Sequence, residues 1–441
     1  MAVGSKAWMI AGAVVVVGAG GYLGAQAVVG HEVEKSLNQV LSRIDASPGW
    51  QVSEIDIDRS LFSTTARATL GAVGFDEATA ALDLRVDHGV FKSPVTGTLR
   101  PSEALFEGDI DIDMVASLSG AEGQLTADTL RLQELHGEAT GLVMDLDIED
   151  ETRWHVDTRI QSLGFTYVDG SVVRLNAPRF EMDTRGDQGS EVVQRLELPR
   201  AEIATRGLNV YLSDVTFDAL TQPSPELEGN PRRVDQSATL QVADVGVDET
   251  SMGSLSMDLA AKRLDMQAFQ DYNEAFAMLT ALDYRREQDP ASFDEARYRE
   301  SLNEAIDSGY TFLASSPAVN IDPLDAHIVV PALNLDFKPR LQIDMGFDGE
   351  SLSKEAFYSL ARHTDTPASE LIEPQNAPMS EAQANAYFGS RTRFEVNMAT
   401  PPQAVLSELP LMARFLIDAE RDQQTLKWEQ GQLTLNGEAL F

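Results

Sequence analysis

The sequence predicts a β-rich α+β chain. One N-terminal transmembrane helix leads into a long antiparallel β-meander, a curved sheet with a helical segment packing on it. Three observations carry this reading. Residues 7–30 hold no charge. From about Gln51 to about Ala260, apolar and polar residues alternate. Near Leu264 the apolar spacing changes to threes and fours, the period of a helix.

The first element is the run from Trp8 through Val17 to Ala25. About 20 apolar residues suffice to cross the hydrocarbon core of a bilayer as a helix. Lys6 precedes the run, and His31-Glu-Val-Glu-Lys35 follows it, acidic on balance. The positive-inside rule therefore leaves residues 1–6 in the cytoplasm and places the bulk across the membrane. Ala25-Gln26-Ala27 has the small-x-small form of a signal-peptidase site, so cleavage after Ala27 is the competing reading. The run is longer than the usual h-region of about 7–15 residues. Val28, Val29, Val33, Leu37, Val40, Leu41 and Ile44 also continue at helical spacing, giving a connecting helix within 31–50. Both features favour an uncleaved anchor over 7–30. Gly20 and Gly24 form a GxxxG pair that would bring two anchors together as a homodimer. The plainer reading is that glycine is common in membrane helices.

Composition removes several classes of function. There is no cysteine, which excludes disulfides, thiol catalysis and thiolate metal sites. With 70 acidic against 34 basic residues, the formal net charge is −36. Nucleic-acid binding needs a basic footprint, and none is visible. The acid is spread along the chain, as on a solvated surface screened by counterions.

Residues 51–441 form the extracytoplasmic β-rich part, with 51–260 as the meander. Leu82–Asp87, Ile110–Met114, Leu142–Ile148, Phe180–Asp183 and Leu208–Leu212 alternate as strands with one buried and one wet face. In Val52–Asp58, Ile55 and Ile57 share a face while Val52 is out of step. Asp169-Gly170 between apolar residues marks a hairpin turn. Pro223–Pro231 is the one plausible interruption, and a loop explains it as well as a boundary does.

Residues 261–315 are helical. Leu264, Ala268, Tyr272, Ala275, Phe276, Leu279 and Leu282 line one face of an amphipathic helix. A second helix runs from Phe293 to about Leu313, after a break at Asp289-Pro290. Residues 316–441 mix strands and short helices. Strands are expected at Ala326–Phe337 and Leu341–Phe347, and short helices at Ser353–Ala361, Ser380–Phe388 and Ala404–Phe415. A closing hairpin runs through Leu426–Trp428 and Gln432–Gly437.

Specific residues then point to a family. Ile57-Asp-Arg-Ser-Leu-Phe-Ser-Thr-Thr-Ala-Arg-Ala-Thr-Leu70 follows the anchor and is close to a y-x-R-G-l-F-S-S-x-a pattern. Val86-Asp-His-Gly-Val-Phe91 is close to i-x-H-G-P-f, and Gly431–Gly437 to G-x-l-t-l-N-G. In this order the chain resembles the YdgA-like family of bacterial inner-membrane-anchored proteins of unknown function. Ser60 stands where the pattern prefers glycine, and Val90 where it prefers proline. The resemblance implies a single-pass protein of the bacterial inner membrane, with its bulk in the periplasm. It implies no activity.

The motif positions Arg59, Phe62, Ser63, His88, Gly89, Asn436 and Gly437 are the candidate site residues. Each has a structural alternative: Arg59 as a clamp on a carboxylate, His88 as a turn histidine bonding backbone. The six histidines lack HExxH or HxH spacing, so no zinc site is indicated. Asp109–Asp113 and Glu54–Asp58 line up carboxylates, but a straight strand does not wrap a calcium ion. No nucleophile elbow, Walker loop or dinucleotide fingerprint occurs. No catalytic residue, metal or cofactor is assigned.

The reading that follows is a non-enzymatic, membrane-tethered envelope protein that binds lipid or a protein partner on its curved sheet. The alternatives are an envelope hydrolase using a carboxylate pair and an assembly factor that dimerises through its anchor.

Overall fold

The structure is a computed structural model of the 441-residue chain. It describes residues 37–38, 41–42 and 50–440, save 73–74, 90, 103–105, 118–119, 133–135, 150–151, 168, 186–189, 206, 225–232, 289–292, 332–334, 351, 355–356, 359–385 and 409–416. The apolar segment 7–30 and residues 225–231 of the expected interruption thus lie outside the described residues. No helix among the described residues is long and apolar enough to cross a membrane.

The protein is β-rich, with large antiparallel sheet and few helices. The chain divides into two compact units. The first holds residues 1–218 and 242–251, the second 219–241 and 252–441. The division falls within three consecutive strands, β13 (Leu208–Pro223), β14 (Arg233–Val247) and β15 (Thr250–Asp265).

The first unit is a meander. β1 (Trp50–Arg59), β2 (Ser63–Ala72), β3 (Phe75–Asp87), β4 (Lys92–Pro101), β5 (Ile110–Ser117), β6 (Gly120–Leu132) and β7 (Gly137–Ile148) each pair antiparallel with the next. Alternation sets the buried face: Ala66, Ala68 and Leu70 on β2, Leu82, Leu84 and Val86 on β3, Ile110, Ile112 and Met114 on β5. Leu37 and Leu41, one helical turn apart, belong to this same core. Among the described residues, a helix that packs into the meander is therefore the connecting one.

β1 answers the phase anomaly in its sequence. Its pairing with β2 shifts by one residue between Ser53 and Asp56, and Glu54 has a φ of 53°. The extra residue at Glu54 lets Val52 and Ile57 both pack against the core although they are out of step in the sequence, while Ile55, beside the bulge, is 47% exposed.

A larger device crosses the sheet. β7 meets β8 (Trp154–Arg159) along its C-terminal half and β9 (Ser162–Thr166) along its N-terminal half. β8 continues to β11 (Arg179–Arg185) and β9 to β10 (Val172–Asn176), and both reach β12 (Glu191–Thr205). The registers on the two sides agree. They align Asp128, Gly141, Gln161, Ala177 and Pro199 in one line across the strands. Gly141 and Ala177 have φ of 62° and 49°. Apolar residues change phase at this line. β6 buries Leu125 and Ala127, then Leu130; β7 buries Ala139, then Leu142 and Leu146. Beyond them Val156 and Ile160 give way to Leu163 on the same core. Each strand carries one additional residue at the same level, so register survives and the apolar side chains stay on one face. Hairpin turns fit their residues too: Gly170 takes φ 83° in the turn closed by the Tyr167 amide on the Ser171 carbonyl.

In the second unit, β15 is followed by α1 (Met266–Gln288) and α2 (Glu295–Ala314). Asp265 and Asp294 cap these helices, accepting from the amides of Ala268 and Arg297 at 3.0 Å each. Ala275, Leu279 and Leu282 of α1 form a buried cluster with Tyr298 and Ala305 of α2. Of the expected stripe, Ala275, Leu279 and Leu282 are thus buried against α2, while Tyr272 and Phe276 are 37% and 54% exposed and Leu264 lies at the end of β15. β16 (Ala318–Val330), β17 (Leu335–Phe337), β18 (Arg340–Phe347), β19 (Thr392–Ala399), β20 (Gln423–Glu429), β21 (Gln432–Leu435) and β22 (Glu438–Ala439) complete the antiparallel sheet. A short helix, α3 (Gln403–Glu408), precedes β20.

Candidate functional site

The first motif residues converge at one end of the meander. β1 and β2 pair up to Arg59↔Thr64, and β2 and β3 up to Ser63↔Asp87. The turn 60–62 and the segment after β3 therefore emerge side by side. Ser60 closes its turn: its amide donates to the Ser63 carbonyl at 2.8 Å, and its hydroxyl accepts from the Ser63 amide at 3.0 Å. No left-handed φ occurs at Ser60, so the glycine that the resembled pattern prefers is not needed there. His88 joins the two segments. Its amide donates to the Phe62 carbonyl at 2.7 Å. Its Nδ1 lies 3.3 Å from the Leu61 carbonyl and its Nε2 2.8 Å from the Thr64 hydroxyl. A carbonyl only accepts, so Nδ1 donates to Leu61, and Nε2 pairs with the Thr64 hydroxyl. Both ring nitrogens are used, and the ring is a brace. Gly89 is required by space: a Cβ there would stand 1.6 Å from the Lys92 carbonyl oxygen.

This bracing holds three large apolar side chains in water. Leu61 is 81% exposed, Phe62 75% and Phe91 77%. Leu61 and Phe91 are not among the residues that the motifs single out as a site. Their signal in the sequence is that bulky apolar side chains occupy turns, where small polar residues are usual. Val90 is outside the described residues, as are Gly20 and Gly24.

Asn436 and Gly437 lie in the second unit. They form the two-residue turn between Leu435 and Glu438, with φ of 53° and 87°, the left-handed pair that Asn-Gly favours. The Asn436 side chain also accepts from the Thr425 amide at 2.9 Å and donates to Gln424 at 2.9 Å. Its role is to pin the closing hairpin.

Two carboxylates, one in each unit, are held by cations. Asp157 is bound by Arg179 through two bonds of 2.8 and 3.1 Å. The Arg179 hydrogen bond, with the charges of Arg179, Arg159 and His155, outweighs burial and holds the Asp157 carboxyl below its ordinary range. In the second unit Asp307 contacts Lys354 at 2.8 Å and accepts from the Tyr358 hydroxyl. Burial opposes its charge, but these two partners hold its pKa down. Burial and the bond to Asp307 push the Tyr358 hydroxyl up to about 12. Among the described residues no group of three His, Asp or Glu is placed to hold a metal ion.

The second unit presents one further surface. Ala261, Val319, Met345, Phe394, Trp428 and Leu433 form one row across six strands. Leu259, Ile321, Ile343, Val396, Leu426 and Leu435 form the next. Strand alternation puts both rows on one face. Only Ala261 is fully buried; the others are half-buried, and Met345 is 41% exposed. In the first unit most of the core-facing residues of β2–β7, Leu70, Leu82, Ile110 and Leu125 among them, are at most 9% exposed, while Met144 and Trp154 are partly buried. The polar atom of Trp428 is already satisfied, its Nε1 donating to the Gly389 carbonyl at 3.0 Å. Both rows are therefore purely apolar toward solvent.

The family described as bacterial protein of unknown function, DUF945, matches residues 5–440, and the chain belongs to that family. No curated protein and no solved structure matches the chain significantly.

Proposed function

We propose that this member of the DUF945 family is a non-enzymatic envelope protein, tethered to the inner membrane by residues 7–30, that holds lipid acyl chains on its sheet. YdgA-like kinship, by the ordered motifs around Arg59, His88 and Asn436, supports this location. The observation that carries the binding reading is the half-buried apolar face of the second unit. Fully burying a Val, Leu, Ile, Phe or Met side chain is worth about 1.5–3 kcal/mol. Rows left half-covered leave much of that gain to whatever covers them.

The chemistry of the face favours an acyl chain over a protein. Protein interfaces carry roughly one hydrogen bond per 100–200 Å². These two rows offer no donor or acceptor of their own, since the Trp428 indole is spent on Gly389. Native mass spectrometry of the full chain after mild detergent extraction tests the proposal. Retained lipid mass is expected in the wild type, and a large loss of it in Met345→Asp. A wild type that carries no lipid, before and after incubation with extracted envelope lipids, overturns the reading.

A further inference from the structure

We propose that the tips of the first two strand-pair turns, led by Leu61, Phe62 and Phe91, dip into the interfacial layer of the bilayer that anchors the chain. This rests on the membrane-tethered reading and goes beyond it, because it assigns a second, reversible contact to a specific corner of the fold.

The turns are built to present these side chains. The Phe62 carbonyl accepts from the His88 amide, and the Ser63 carbonyl accepts from the Ser60 amide and hydroxyl at 2.8 Å. The Leu61 carbonyl receives His88 Nδ1. The Leu61, Phe62 and Ser63 carbonyls of the first tip are thus paired within the protein, which lowers the cost of entering an apolar layer. The brace also fixes the tips before they bind, so little ordering entropy is lost on contact.

Charge agrees with the apolar signal. Arg59 and Lys92, both exposed, flank the tips. Of the nearby acids, Asp87 is held by Arg85 at 2.9 Å, and Glu122 lies 3.4 Å from Lys92. Long basic side chains beside apolar tips can reach anionic headgroups while their stems stay in the interface.

The chain's own length favours the bilayer as the occupant. Leu37 sits in the core of the meander, seven residues after Gly30, the end of the apolar segment. Seven residues span at most about 25 Å. The tips themselves are small. Three large side chains offer roughly 400–500 Å², about half of the 800 Å² that each partner of a stable protein complex contributes.

Because the chain has no cysteine, single labels report cleanly. Phe62→Cys, Phe91→Cys and Tyr167→Cys variants of the full chain are labelled with a polarity-sensitive fluorophore. They are reconstituted into vesicles of phosphatidylethanolamine and phosphatidylglycerol, with and without shallow spin-labelled lipid. Tyr167 lies at the opposite end of the first unit and is 53% exposed. At positions 62 and 91 a blue shift and at least two-fold quenching are expected, against little change at 167. Quenching at 62 and 91 no greater than at 167, in chains that resist alkaline extraction, overturns this proposal and leaves the tether intact. Chains that wash off the vesicles overturn the tether reading and this proposal with it. Labels shielded in native envelopes but water-exposed in the vesicles assign the tips to a protein partner, which also overturns the proposal.

Discussion

His88 Nε2 lies 2.8 Å from the hydroxyl of Thr64, a residue with no exposed surface, and this bond ties the end of one hairpin to the next. Replacing Thr64 by valine keeps the shape and removes the hydroxyl. The ring nitrogen then loses a partner at the edge of the core. Thr64→Val is expected to cost about 1–2 kcal/mol, and Thr64→Ser much less. Denaturant unfolding of the two variants measures the difference.

The line of additional residues across the sheet gives a prediction with opposite signs. Gly141 has a left-handed φ, and a Cβ there would stand 2.9 Å from the Gln161 Cβ. Gly141→Ala is expected to destabilise by about 1–2 kcal/mol. Ala177 already bears that strain at φ 49°. Ala177→Gly is expected to be neutral or to stabilise by up to about 1 kcal/mol, the relief offset by the entropy of glycine. Equal losses in both variants would show that the line is not held by backbone conformation.

The two units should respond differently to truncation of their apolar faces. Ile110 is fully buried, and Ile110→Ala is expected to cost about 2–5 kcal/mol. Leu37→Ala belongs to the same range if the connecting helix completes that core. Met345→Ala, at a position 41% exposed, is expected to cost below about 1 kcal/mol. Thermal or denaturant unfolding separates the two classes.

Acid should remove one stabilising pair selectively. The Asp157 carboxyl is held below its ordinary range by Arg179, so its folded pKa is lower than its unfolded one. The pair's contribution is full above the unfolded carboxylate range and is lost as the pH falls through the folded pKa. Asp157→Asn is therefore expected to be less stable than the wild type near neutrality. The gap should close in acid, below the ordinary aspartate range. A pH series of unfolding midpoints for both proteins reads this directly; a gap constant with pH would reject it.

Much of the architecture is legible because strand alternation and turn chemistry are local. Ile110–Met114 and Leu142–Ile148 announce their faces, and Asp169-Gly170 announces its turn. Even the bulge at Glu54 leaves a trace, since Val52 is out of step with Ile57. The sheet-wide line is less visible. Ala139 and Leu142 show a change of phase, but its alignment with Gln161 and Ala177 depends on the registers of successive hairpins.

Burial is also hidden from the pattern. Ile112 and Ile343 sit in equally clean alternation, yet one is buried and the other half-covered. What covers a face depends on distant chain. At the candidate corner the sequence marks Arg59, Phe62, Ser63, His88 and Gly89, and the structure brings them together. It does not mark Leu61 and Phe91, because exposure of an apolar residue in a turn follows from how the turn is braced. Asn436 and Gly437 enter the sequence reading as motif positions in the closing hairpin, and the structure makes them the turn between Leu435 and Glu438.

The aligned residues Asp128, Gly141, Gln161, Ala177 and Pro199 have a consequence for how such a chain can change over generations. Losing any one of them would slide half of its strand by one position and turn Leu142, or its counterpart, from the core into water. Losing all five together would leave the registers among β6–β12 intact. At that level of the sheet, the unit of insertion or deletion is therefore five separated codons acting as one, and length variation among family members should appear there all at once or not at all.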